Sequence, residues 1–252
     1  MTDWRAVFEA TYETPPSAVM DRVWREVFGD EYPEGVDPYS YVTASELRRL
    51  AVDLSVGPGD TLVDVGCGRG GAGLWVALAT GARLIGIDIA ESALVDARGR
   101  AARLAVDATF VRGEFEATGL PGAGAGAVMS IDALLFTPDK AAALGELRRV
   151  LRPGGRLCLT SWDYHTQPAG RPPQVADHRP LAEAAGFAVL SYEETSRWRE
   201  HALGTGEGLL AAAAELAQEE GTSVEETRAG ILEMNALYDT MIRRFFLVAE
   251  AI

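Results

Sequence analysis

Residues 63–73, VDVGCGRGGAG, join a short apolar run to a helical one. Glycines at such a junction let the backbone turn sharply and admit a ligand where a Cβ would block it. The free amides and positive end of the following helix then favour a polar or anionic group. Two patterns overlap in the stretch. Gly66, Gly68 and Gly71 fit the G-x-G-x-x-G of a dinucleotide site, whereas Asp64, Gly66, Gly68 and Gly70 fit an acidic-x-G-x-G-x-G pattern. The second gives Asp64 a task at the mouth of the site: to hold the loop or to accept from a ligand ammonium. The eleven residues alone leave both readings open, beside the plainer one of a glycine turn kept for packing.

Other residues could complete a site. Asp88 lies 22 positions after Gly66 at the end of LIGID, where a carboxylate accepts from a ribose diol. Glu114 ends a further strand candidate and can accept from an adenine amine, with Phe115 beside it for the ring face. Asp132 in SIDALLF and His165 in SWDYHTQP follow two more strand candidates. Either can take a proton from an acceptor, or be no more than a loop residue. Tyr41, in YSYVT, is the expected N-terminal contributor. His178 and His201 are weaker candidates. Asp132 with Asp163 suggests a divalent-metal site, but WDYHTQ lacks a further Asp or Asn ligand, so a metal-free site is expected.

Such residues need a scaffold that brings strand ends together. From Thr61 onward, apolar runs (TLVDVG, RLIGIDI, ATFVRGEF, GAVMSIDALLF, RLCLTSWD) alternate with amphipathic stretches, as in a parallel sheet covered on both faces. RPGG reads as the turn before the fifth strand, GFAVLSYEE as a sixth strand and RFFLVAEAI as a last one. Ser17 can begin a helix over AVMDRVWREVF, and Thr43 or Ser45 one over ELRRLAVDL. Between the last two strands, EGLLAAAAELAQEE reads as one helix, and Ser223 with Glu226 form a capping box for the next. The expected organisation is an N-terminal helical cap (1–56), a cofactor-binding core (57–192), a helical insertion (193–243) and a final core strand (244–252).

The order VDVGCGRGG, GIDIA, GEF…TGLP, VMSIDALLF, ELRRVLRPGGRLCLTSW resembles class I S-adenosylmethionine-dependent methyltransferases, especially small-molecule enzymes of bacterial secondary metabolism. The resemblance is strong from Thr61 to Trp162. It implies an α/β, Rossmann-like, doubly wound seven-stranded and mostly parallel sheet whose last strand runs antiparallel, plus the helical cap. It implies S-adenosylmethionine as cofactor. Asp64, Gly66 and Gly68 would hold its methionine end, Asp88 its ribose, and Glu114 and Phe115 its adenine, with Ser130 beneath. Cys67, Ile89 and Gly113 belong to the same set. Gly126 stands where the family often has an Asp, which leaves the local loop shape open.

The formal net charge is −14, and arginines 148, 149, 152 and 156 gather at a helix end and turn, so a basic nucleic-acid face is not expected. No apolar run reaches membrane-spanning length. Two cysteines without a C-x-x-C pair fit a reducing cytoplasm, and the first ten residues lack a signal-peptide pattern. Lys140, the only lysine, falls on a predicted surface helix. The expected function is methyl transfer to a small molecule by a monomer or homodimer. The alternatives are an enzyme of this fold using the bound cofactor without transfer, for cyclisation, rearrangement or decarboxylation, and, more remotely, a nicotinamide oxidoreductase.

Overall fold

A computed structural model describes residues 2–252. Seven strands form one sheet: β1 (Thr61–Val65), β2 (Arg83–Asp88), β3 (Ala108–Arg112), β4 (Ala125–Ile131), β5 (Leu151–Tyr164), β6 (Phe187–Glu194) and β7 (Met241–Ala251). Their spatial order is β3-β2-β1-β4-β5-β7-β6. Neighbours from β3 through β5 are parallel, and β7 runs antiparallel between β5 and β6. This is the expected fold. The chain order reverses beside β1, between β2 and β4, so the carboxyl ends of these strands flank an open crevice.

Among the described residues, ten helices surround the sheet: α1 (Trp4–Glu13), α2 (Ala18–Phe28), α3 (Ala44–Asp53), α4 (Gly71–Thr80), α5 (Glu91–Leu104), α6 (Lys140–Val150), α7 (Arg179–Ala184), α8 (Trp198–Ala211), α9 (Ala213–Glu220) and α10 (Val224–Tyr238). Two apolar layers sandwich the sheet. One packs α3, α4 and α5 through Leu47, Leu50, Leu74 and Leu94; the other packs α6 and α7 through Leu144, Leu147 and Ala182. A third cluster joins α2 to α8, α9 and α10 through Trp24, Phe28, Leu209 and Ile231. The N-terminal segment and the insertion before β7 thus share one core.

Ser17, Thr43 and Ser223 are helix caps as their types suggest, the last two in full capping boxes. Three boundaries differ. RPGG lies within β5, in the irregularity between its Leu151↔Ala125 and Arg156↔Ala127 pairs with β4, and β7 starts at Met241 because it pairs with β5 from Arg156↔Glu250 to Tyr164↔Met241. The insertion breaks at Ala212, which separates α8 from α9. Helix α1 was not among the expected elements. It has no buried residue, and contacts at its ends and middle hold it. Glu9 accepts from the Glu91 and Ser92 amides at 2.8 and 3.1 Å. It thereby caps α5, whose own N-cap position is Ala90.

The four arginines expected to be structural are all engaged. Arg148 donates to the Gly186 carbonyl, and Arg149, Arg152 and Arg156 pair with Glu146, Asp60 and Glu250. Lys140 departs from expectation. It is buried, with its ammonium donating to the carbonyls of Thr137 and Pro173. Burial lowers its pKa to about 8. Among the described residues, no helix is long and apolar enough to cross a membrane.

Candidate active site

A cavity of about 770 Å³ opens at the carboxyl ends of β1, β2 and β4, under α1. Its size suits a cofactor-like ligand with room beside it. The glycine loop forms its floor. The amides of Gly66 and Cys67 donate to the Ile87 carbonyl at 2.8 and 3.0 Å, tying the loop to β2. Gly66 and Gly68 have φ of +75° and +51°, a region that favours glycine. Space makes the same demand. A Cβ on Gly66 would lie 2.4 Å from the Ala133 Cβ, and one on Gly68 would lie 2.8 Å from the Tyr12 hydroxyl.

Two carboxylates stand beside the loop. Asp88 accepts from the Gly68 amide at 2.8 Å and the Ala90 amide at 3.0 Å. Burial raises its pKa. Asp64 is buried at the end of β1, and burial first, then the charge of Asp88, lifts its pKa to about 7. Neither carboxylate has a cationic partner among the described residues. A ligand ammonium at this end of the cavity would supply one.

Ile89, Gly113, Glu114 and Phe115 line the next part of the wall, with Cys67 below. Glu114 pairs with Arg5 of α1. These positions fit S-adenosylmethionine by the chemistry of their donor set. Asp64 offers an acceptor of the kind an ammonium needs, Asp88 at the β2 terminus one of the kind a diol needs, and Glu114 beside the Phe115 ring one of the kind a base amine needs. Ten of the sequence-predicted site residues line this one cavity: Asp64, Gly66, Cys67, Gly68, Asp88, Ile89, Gly113, Glu114, Phe115 and Asp132.

Three do not. Ser130 is fully buried beneath the floor, its hydroxyl without a partner. Tyr41 donates its amide to Asp132 at 2.9 Å, while its half-buried ring packs against Trp24, Trp162 and Tyr238. His165 sits at the far end of β5, bonded through Nε2 to the Asp239 carbonyl at 2.8 Å and through Nδ1 to Thr166 at 2.9 Å. Asp132 lines the cavity, but its carboxylate is taken. It accepts from Arg244 Nε at 3.0 and 3.2 Å, from the Thr160 hydroxyl at 2.8 Å and from the Tyr41 amide. Asp163 is likewise engaged by Arg243, His178 and Tyr192.

Helix α1 supplies what the sequence reading missed. Trp4, Phe8 and Tyr12 recur every fourth residue and line the cavity from one helix face. Trp4 and Phe8 meet Phe136 at ring-centroid distances of 4.9 and 4.8 Å. Arg69, buried in the glycine loop, donates to the carbonyls of Tyr12 and Thr14 and to Asp96. It clamps the end of α1 over the loop. The W-x-x-x-F-x-x-x-Y spacing was the available signal.

Residues 63–159 match the sequence profile of a methyltransferase domain. The chain is 31% identical over 179 residues to 27-O-demethylrifamycin SV methyltransferase of Amycolatopsis mediterranei (strain S699), covering 70% of this chain and 65% of that protein. It is 29% identical over 171 residues to Methyltransferase GfsG of Streptomyces halstedii, covering 67% and 58%. The chain thus spans less than two thirds of the length of these relatives. Among solved structures, the cyclase SpnF superposes with a TM-score of 0.72 at 23% identity, covering 96% of this chain and 94% of that one.

Proposed function

The chain belongs to the class I S-adenosylmethionine-dependent methyltransferases, and from that premise we propose that it methylates a small organic acceptor in secondary metabolism. The observation that carries the reading is the buried pair Asp64 and Asp88 at the glycine loop, two carboxylates without a cation in one cavity. The names of the two relatives support small-molecule methylation.

When bound, S-adenosylmethionine supplies an electrophilic methyl group on a sulfonium. The chain's own residues do the rest. Asp64 holds the ammonium, Asp88 accepts from the ribose, and Glu114 with Phe115 takes the adenine. Helix α1 covers the cavity and keeps water out, which strengthens these contacts and holds donor and acceptor in line. Asp132, locked by Arg244, keeps the β4 end in place rather than moving a proton. Among the described residues, none that lines the cavity is a histidine. The cavity carboxylates Asp37, Glu116 and Asp139 are also engaged, by Arg100, Thr137 and the Ala142 amide. Catalysis therefore rests on positioning and suits an acceptor that needs no strong base.

The test is calorimetric binding of S-adenosylhomocysteine, followed by transfer of labelled methyl to an acceptor panel. Absence of S-adenosylhomocysteine binding would sink the reading. A fold shared with a cyclase gives the second reading, in which the cofactor is held but not consumed. Turnover supported equally by S-adenosylhomocysteine would favour it.

A further inference from the structure

Helix α1 crosses the strand ends in sheet order. Its Arg5 reaches Glu114 beyond β3, its Glu9 caps the helix that follows β2, and its Tyr12 stands at Gly68 beyond β1. The spacing permits this. A helix rises about 6 Å over four residues and about 4.5 Å over three, while neighbouring strands lie ~4.8 Å apart. One helix turn therefore serves one strand, and Arg5 falls where the proposed site takes the adenine. Asp3 caps the first turn by accepting from the Ala6 amide at 3.2 Å, which holds the backbone that carries Arg5.

The backbone of Glu114 is fixed, but its side chain has only one tie. Glu114 and Ala117 exchange two backbone hydrogen bonds, at 3.3 and 3.2 Å, and the neighbouring Gly113 amide donates to the Asp88 carbonyl at 3.1 Å. Glu114 and Arg5 both line the cavity, each with its side chain about half-exposed. Among the described residues, the Glu114 carboxylate has Arg5 as its one hydrogen-bond partner: Nη2 donates to Oε1, and Oε2 is left to accept elsewhere. An ion pair this exposed adds little to stability. What it does is restrict a side chain with three rotatable bonds, and a group ordered beforehand loses less freedom when a ligand arrives.

We infer that Arg5 is a positioning residue for adenine selectivity: by holding Oε1 of Glu114, it keeps Oε2 set to accept from the amine of the base. This rests on the cofactor reading above and goes beyond it, because recognition of the base then depends on a helix outside the core. A base with a carbonyl in place of the amine would set one acceptor against another. Without Arg5, Glu114 turns to solvent and no longer tells the two bases apart.

The experiment is calorimetric binding of S-adenosylhomocysteine and S-inosylhomocysteine, which carry an amine and a carbonyl at the same ring position. The unaltered protein should prefer S-adenosylhomocysteine at least about tenfold, and Arg5→Met should cut that preference below about threefold. The melting temperature of Arg5→Met should stay within about 2 °C of the unaltered protein. Arg5→Lys, which keeps a charged donor, should restore most of the preference. Glu114→Ala should abolish it, and adding Arg5→Met to Glu114→Ala should change neither affinity further, since the two side chains act as one unit. The inference is overturned if the unaltered protein binds both ligands equally, if Arg5→Met keeps the full preference, if Arg5→Lys restores none of it, or if the Arg5→Met and Glu114→Ala effects add. In each of these cases S-adenosylhomocysteine still binds and the cofactor reading stands. Its failure to bind the unaltered protein is the separate result that removes both.

Discussion

Arg244 Nε donates to both carboxylate oxygens of Asp132, at 3.0 and 3.2 Å, with both side chains almost wholly buried. The same guanidinium reaches Glu46 at 2.7 Å, so one arginine of β7 ties the end of β4 to the first turn of α3. Removing one partner of such a pair leaves an uncompensated buried charge. Arg244→Met should therefore cost about 3–5 kcal/mol of stability. Arg244→Met combined with Asp132→Asn should cost less than the two single changes added. Urea denaturation reads both quantities, and strictly additive losses would show that the pair is not coupled.

The Asp64 carboxyl, raised to about 7 by burial and by Asp88, makes stability depend on pH. Its folded value lies above its unfolded one, so the folded chain binds more protons between roughly pH 4 and 7. Stability contributed by the protonated form is lost as pH rises through that window. Asp64→Asn should flatten the fall, and the stabilisation given by S-adenosylhomocysteine should grow with pH across it. Melting temperatures of the two proteins that run parallel from about pH 4.5 to 7.5 would contradict this.

The two floor glycines should not be equally tolerant. Gly66→Ala drives a Cβ to within 2.4 Å of the Ala133 Cβ, which moves only with its backbone. Gly68→Ala meets the Tyr12 hydroxyl at 2.8 Å, the far end of a side chain that can swing away. Gly68→Ala should lower S-adenosylhomocysteine affinity about tenfold and Gly66→Ala by more. Adding Tyr12→Ala to Gly68→Ala should recover part of the loss. Equal losses, with no recovery, would argue against the steric account.

His165 is expected to be dispensable for chemistry. Its ring ties the end of β5 to Asp239 and is not part of the cavity wall. His165→Ala should cost about 1 kcal/mol of stability and leave kcat within about twofold. A drop beyond about tenfold in kcat at unchanged cofactor affinity would restore it as a proton acceptor.

The sheet and the cavity wall that carries Asp64, Asp88 and Glu114 were legible because local rules fix them. Strand ends are set by apolar runs, and Asp64, Asp88 and Glu114 sit at those ends by register. Asp132 and His165 occupy analogous ends, yet Asp132 is held by Arg244 of β7, 112 positions later, and His165 by the Asp239 carbonyl just before β7, 74 positions later. Sequence spacing carries no trace of that pairing. Lys140 looked exposed because its helix is amphipathic, but the 165–178 segment folds over it. Helix α1 escaped because it buries nothing of its own. Its aromatic spacing makes sense only once a cavity exists beneath it.

Glu9 closes the first turn of α5 from a different helix, 82 positions away in sequence. The amides it covers, those of Glu91 and Ser92, stand next to the Asp88 end of β2. Any outward movement of α1 strips the cap and exposes those two amides to solvent. Their hydrogen-exchange rates therefore serve as a built-in gauge of whether the cavity is covered. Slow exchange at Glu91 and Ser92 that is unchanged by Glu9→Ala would show that α1 has no hold on them.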